Sequence, residues 1–163
     1  MGTSSAGSQH SPIGIRQYGR VPSKRSAVEL IAAARAVLRP VIVRDRPFGD
    51  VGGAVVSESG RVYTGVSIDT GGWGLCAERS AIAAMVTAGE YRILQVVAVW
   101  QEWQGGDRAL WVLPPCGICR DFMRQIDEDN MDAEVILGPS ESKRLAELLP
   151  LSAWPASPIE TPE

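Results

Sequence analysis

The chain has 163 residues, 45% of them hydrophobic, which is enough for one sizeable core and so for a single domain. A formal net charge of -3 and a pI near 5.3 speak against a general phosphate-binding surface: nucleic-acid modules carry a basic patch, and the arginines here are scattered. No apolar run reaches the ~18 residues of a spanning helix, no secretory signal is visible at the N-terminus, and three cysteines with one CxxC pair fit metal binding in a reduced, cytoplasmic setting better than a disulfide framework.

Residues 1–20 are rich in serine and glycine without a hydrophobic period and are expected to form a disordered tail. One domain is expected over residues 21–154, then an irregular, proline-bearing tail over 155–163. Ala27, Leu30, Ile31, Ala34, Val37 and Leu38 recur at helical spacing, which predicts an amphipathic helix begun near Ser23 and stopped by Pro40. Val51 to Val56 and Arg61 to Ile68 read as strands joined by the hairpin turn Ser57-Glu58-Ser59-Gly60. The loop Gly71-Gly72-Trp73-Gly74 leads into Cys76. From there Ala77, Ala81, Ile82, Ala84, Met85 and Ala88 predict a helix dense in small residues and closed by Gly89. Ile93 to Trp100 is a nearly continuous apolar run of strand length, suited to the middle of a covered sheet. After a polar loop over Gln101 to Arg108 come a helix from Cys116 to Ile126, a short strand from Ala133 to Leu137 and a last helix from Ser142 to Leu149. That order implies a mixed sheet with helices on both faces.

The chemistry concentrates in Cys76-Ala77-Glu78 and Pro115-Cys116-Gly117-Ile118-Cys119, which together use every cysteine of the chain. Cys116 and Cys119, three apart on one helical turn, share a face and can share a metal. Pro115 suits the start of a helix, and Cys76 also falls at one, so two helix N-termini would aim their positive ends at the thiolates. That matters because three thiolates outweigh the charge of a zinc ion, and the excess would blunt its effect on a bound water. Helix dipoles, with Arg79 and Arg120 beside the cysteines, could relieve it; both arginines can also be read as solvated helix charges. His10, the sole histidine, lies in the tail, which leaves three protein ligands and an open fourth position. That arrangement marks a catalytic rather than a structural zinc. A lone CxxC is often a redox pair, and a lone Cys-x-Glu means little; the two together, each at a helix start, form a specific pattern.

At these residues the chain resembles the cytidine deaminase superfamily, whose signature is His/Cys-Ala-Glu followed by Pro-Cys-x-x-Cys. The cysteine in the first position resembles the small homotetrameric branch of cytidine and blasticidin-S deaminases. Val51-Gly52-Gly53-Ala54, Gly60-Arg61-Val62-Tyr63-Thr64-Gly65, Arg79-Ser80-Ala81-Ile82 and Glu147-Leu148-Leu149-Pro150 extend the likeness. The resemblance implies a three-layer α/β/α sandwich around a mixed sheet of about five strands. It implies one zinc ion per chain, bound by Cys76, Cys116 and Cys119. It also implies hydrolytic deamination: activated water attacks the ring carbon bearing the exocyclic amine, and ammonia leaves. Glu78 would shuttle the protons, the Ala77 N–H would hold the ring carbonyl, the Pro114 carbonyl would accept from the amine, and Arg79 would donate to the thiolates. The expected partner is a small nucleoside or nucleobase rather than a nucleic acid or a membrane.

The pattern departs from nucleoside-specific relatives on the sugar side. An Asn-x-Glu pair that grips ribose hydroxyls is matched here by the shorter Ser67 and Asp69, and a ring-stacking aromatic by Gly49, with Phe48 one residue off. Asp121 stands where glutamine usually follows Arg120, and the loop from Asp69 to Cys76 is short and closer to that of blasticidin-S deaminases. Trp73 reads equally as a pocket wall and as cover at a subunit contact. Asp127-Glu128-Asp129 reads as a solvated helix end or as an attractor for a cationic substrate. Cytidine and deoxycytidine stand first as substrates, with free bases, triazine-type rings and blasticidin S as alternatives. A zinc-stabilised scaffold without activity would have no use for Glu78.

Overall fold

The computed structural model describes residues 23–102 and 108–152. The expected tails over 1–20 and 155–163, with His10 in the first of them, lie outside the described residues.

Helix α1 (Ala27–Ala36) starts later than the expected beginning near Ser23, because Ser26, three residues on, closes a capping box. Its Oγ accepts from the Glu29 N–H at 3.2 Å, while the Glu29 carboxylate accepts from the Ser26 N–H at 2.9 Å. Strands β1 (Val41–Val43), β2 (Arg46–Ser57), β3 (Val62–Ile68), β4 (Ile93–Gln101), β5 (Leu110–Leu113), β6 (Glu134–Gly138) and β7 (Glu141–Arg144) form one seven-stranded mixed sheet. Helices α2 (Ala77–Thr87), α3 (Gly117–Ile126) and α4 (Leu145–Leu148), with a 3₁₀ turn at Glu128–Asp132, complete the described elements.

Strand β2 is the axis of the sheet. It pairs antiparallel with β3 on one edge and with β4 on the other, and β4 in turn pairs antiparallel with β5 and parallel with β6. Alternation along the strands divides the core in two. Ala54, Val56, Val97 and Val99 face α1 through Leu30, Ile31 and Ala34. Val55, Val96 and Val135 face the opposite layer, where Ala81, Ile82 and Met85 of α2 meet Met123 of α3 and Leu145 of α4. The three-layer arrangement is the expected one.

Seven strands replace the expected five. Strand β1 escapes a reading of the sequence because its two-residue turn, Arg44-Asp45, takes positive φ at both residues (49° and 66°) without the usual Asn-Gly. The predicted helix over Ser142 to Leu149 is also corrected: Glu141–Arg144 pairs with β6, and only Leu145–Leu148 is helical. The helix-forming composition of that segment yields to an unpaired edge of β6 that needs a partner.

Two glycines set the height of α2 above the sheet. Gly53 of β2 and Gly65 of β3 are register partners. A Cβ on Gly53 would lie 2.6 Å from the carbonyl carbon and oxygen of Ala77, and one on Gly65 would lie 2.6 Å from the Ser80 carbonyl carbon. Only at glycine can the first turn of α2 rest directly on the strands, and that contact fixes where the turn presents its side chains.

Candidate active site

Helices α2 and α3 begin side by side. Cys76 is the N-cap of α2 and Cys116 the N-cap of α3; both have extended backbone, and neither side chain caps its own helix. Cys119 sits one turn into α3 and is fully buried. The Cys76 and Cys116 sulfurs are 3.8 Å apart, those of Cys116 and Cys119 are 3.5 Å apart, and all three lie within 4.8 Å of one another. Thiolates around a tetrahedral zinc with bonds of ~2.3 Å sit about 3.8 Å apart, so the spacing matches one ion shared by three sulfurs. The separations exclude a disulfide, and all three cysteines are free.

The electrostatics fit the same donor set. Burial pushes the Cys119 thiol far up, and the neighbouring Glu78 carboxylate and the other two sulfurs push it further. Such a group becomes a thiolate only beside a cation. Burial also works to raise the Cys116 thiol, but the N–H of Cys119, its side chain, Cys76 and the Ile118 N–H overcome it and hold the pKa below the usual thiol range. Those N–H groups belong to the first turn of α3, where no intrahelical acceptor exists for them.

Glu78, in the first turn of α2, is 5% exposed. Burial raises its carboxyl above the usual range, against the opposing pull of its own N–H, the Cys119 thiol and Arg79. Arg79 donates from Nη2 to the Gly74 carbonyl at 2.6 Å and to the Cys76 sulfur at 3.9 Å, so it ties the loop to the metal end of the site. Partial burial opposes its charge, yet Cys76 and Cys119 hold the guanidinium above its ordinary range. Arg120 takes another course. Its Nε donates to the Pro115 carbonyl at 2.8 Å and its Nη1 to the Leu148 carbonyl at 2.9 Å, which joins the residue before Cys116 to the end of α4.

A cavity of about 330 Å³ opens above this cluster. Cys76, Ala77, Glu78 and Cys116 line one end, Ala98, Leu113 and Pro114 one side, and Val51, Ser67, Ile68 and Asp69 the other end. Its size suits a small ring with a substituent. The structure therefore brings together the three cysteines, Glu78, Ala77, Pro114, Ser67 and Asp69. Trp73 is not among the lining residues and is 92% exposed; its loop is closed underneath by the bridge between Ile68 and Leu75.

Asp50 is the residue that motif reasoning missed. Its carboxylate accepts a hydrogen bond from the Ser67 hydroxyl at 2.7 Å, and that hydroxyl oxygen accepts from the Val51 N–H at 3.1 Å. The arrangement arises where the β2–β3 register breaks between Phe48 and Gly52. Gly49 stands there with φ of +66°, and a Cβ on it would meet the Arg39 carbonyl oxygen at 2.6 Å. An aromatic side chain has no room at that position. The glycine before the Val51 run was the one sequence signal of the irregularity.

Comparison with known proteins agrees with this geometry. The sequence model of a family described as the cytidine and deoxycytidylate deaminase zinc-binding region matches residues 28–133. A cytidine deaminase of Mycobacterium tuberculosis is 33% identical over 103 residues, which cover 61% of this chain and 69% of the relative. A blasticidin-S deaminase of Bacillus cereus is 30% identical over 104 residues, covering 62% of this chain and 74% of the relative. The crystal structure of cytidine deaminase from Mycobacterium tuberculosis superposes with a TM-score of 0.64 at 27% identity, over 79% of this chain and 98% of that one.

Proposed function

Because the chain belongs to the cytidine deaminase family and so is a zinc-dependent hydrolase acting on a cytosine ring, we propose that Cys76, Cys116 and Cys119 hold one zinc ion per chain and that Glu78 moves the protons of the reaction. Zinc held by these three sulfurs would supply the Lewis acidity that makes a water acidic near neutral pH. The net reaction adds water to the ring carbon bearing the amine, breaks that carbon–nitrogen bond and releases ammonia. Glu78 takes one proton from the attacking water and gives it to the neighbouring ring nitrogen; it then takes the second from the hydroxyl now on the ring carbon, as that becomes the carbonyl, and gives it to the departing amine. Its raised pKa suits a carboxyl that must both accept and donate within one cycle.

The remaining residues orient the ring. The Ala77 N–H, in the first turn of α2, lacks an intrahelical acceptor and is free to hold the ring carbonyl. The Pro114 carbonyl accepts from the amine. Arg79 restrains the Cys76 thiolate, and Arg120 restrains the backbone entering Cys116. Ser67 and Asp69 face the substituent on the ring. Trp73 is assigned to a contact between subunits of a cytoplasmic homotetramer, where its exposed face would be covered; light scattering that reports a monomer at micromolar concentration would contradict this. The acidic balance of the chain favours a small-molecule substrate over a nucleic acid.

One observation carries this reading: a buried glutamate on the floor of a ring-sized cavity, beside three sulfurs at zinc spacing. The test is ammonia release from cytidine, deoxycytidine, cytosine, guanine, an aminotriazine and blasticidin S, with zinc content measured on the same preparation. A zinc-loaded protein that releases ammonia from none of them would refute it.

A further inference from the structure

We propose that Asp50 is a positioning residue that turns the Ser67 hydroxyl into a hydrogen-bond acceptor toward the cavity, so that the wall facing the ring's substituent selects groups that donate. The proposal rests on the reading of the cavity as a site for cytosine nucleosides.

A serine hydroxyl has one hydrogen and two lone pairs. The hydrogen of Ser67 goes to the Asp50 carboxylate at 2.7 Å, and one lone pair is taken by the Val51 N–H at 3.1 Å. One lone pair remains for a ligand. Asp69, on the same end of the cavity, offers a carboxylate, which supplies acceptors. Two adjacent side chains that could have presented mixed polarity therefore present acceptors.

Asp50 acts through Ser67 rather than by touching substrate. It does not line the cavity above the thiolates; it lines the neighbouring one, with Arg35 and Arg108. What brings it to Ser67 is the break in register. Between the pairs Phe48↔Ile68 and Gly52↔Val66, Gly49, Asp50 and Val51 stand opposite Ser67 alone. Bulges of this kind re-aim a side chain beside a functional site. Here the bulge also removes the Val51 N–H from the β2–β3 ladder and hands it to the Ser67 oxygen.

A sugar hydroxyl can donate to such a wall, and so can a protonated amine. Fluorine is close to hydroxyl in size and cannot donate. The experiment compares kcat/KM for deoxycytidine, its 3′-fluoro analogue and its 3′-amino analogue. The wild type is expected to prefer the hydroxyl and amino compounds over the fluoro compound by about tenfold, in KM rather than kcat, as one lost hydrogen bond implies. Asp50→Ala frees the Ser67 hydrogen to face the cavity, and the preference should shrink to about twofold. Ser67→Ala should shrink it as well, and should do so even if Asp50→Ala fails to fold. In the double variant the two effects should not add, because they act through one hydroxyl. Equal use of the three nucleosides by the wild type, or an undiminished preference in Asp50→Ala or Ser67→Ala, overturns the inference alone. No ammonia from any nucleoside overturns the nucleoside reading of the cavity and the inference with it.

Discussion

The two ends of the cavity are built by different means. At the thiolate end, each functional side chain sits at or within one turn of a helix start, and the start of α2 rests directly on the sheet at Gly53 and Gly65. At the opposite end the wall comes from a strand that loses register, so that Asp50, Val51 and Ser67 meet through a local irregularity. The first construction fixes chemistry and is written in short motifs. The second shapes recognition and exists only once the strands have paired.

If that division holds, perturbing the thiolate end should abolish catalysis, and perturbing the bulge should alter recognition. The largest effect is expected from Cys119→Ser, which removes the fully buried sulfur of the cluster. Zinc content should fall to background and deamination with it, as read by metal analysis and ammonia release. Gly53→Ala comes next. Its Cβ would stand 2.6 Å from the Ala77 backbone, so α2 must lift; a stability loss of ~1–3 kcal/mol is expected. A misplacement of that scale at the chemistry should lower kcat by about 10²-fold. Gly49→Ala attacks the other end. Positive φ costs ~1–2 kcal/mol for an alanine, and the contact with Arg39 adds to it, but the kinetic change should appear in KM. The smallest effect belongs to Arg120→Met, which releases the Pro115 and Leu148 carbonyls. About 1 kcal/mol of stability should be lost, measured by denaturant unfolding.

Much of the fold was legible because its signals are local. The apolar run of β4, the strand-like runs of β2 and β3 with the turn between them, and the small-residue face of α2 each carry a local signal. What was hidden depended on partners far along the chain. The Arg44-Asp45 turn lacks the glycine that announces a hairpin, and Glu141–Arg144 has the composition of a helix but answers to the free edge of β6. Asn130 illustrates the same limit. It is fully buried, accepts from the Ile93 N–H at 2.7 Å and donates to the Tyr91 and Met123 carbonyls. In the sequence it is one polar residue in an acidic stretch. At the site, Cys116 and Cys119 could be read because residues three apart on one helical turn share a face, and Cys76 and Glu78 because the two short motifs together form a specific pattern; that α2 and α3 begin side by side is a property of the fold. Asp50 could not, because its contact with Ser67 follows from a bulge rather than from spacing.

The central claim is that Glu78 moves protons beside a metal it does not ligate. Glu78→Gln keeps the shape of the side chain and removes its ability to take a proton, so the measurement is zinc per chain and kcat for cytidine on the same preparation of wild type and variant. The account predicts about one zinc per chain in both, with kcat lower by ~10²- to 10⁴-fold in the variant. Loss of zinc together with activity would make Glu78 part of the metal site, and a near wild-type kcat with zinc retained would give the proton transfer to another group.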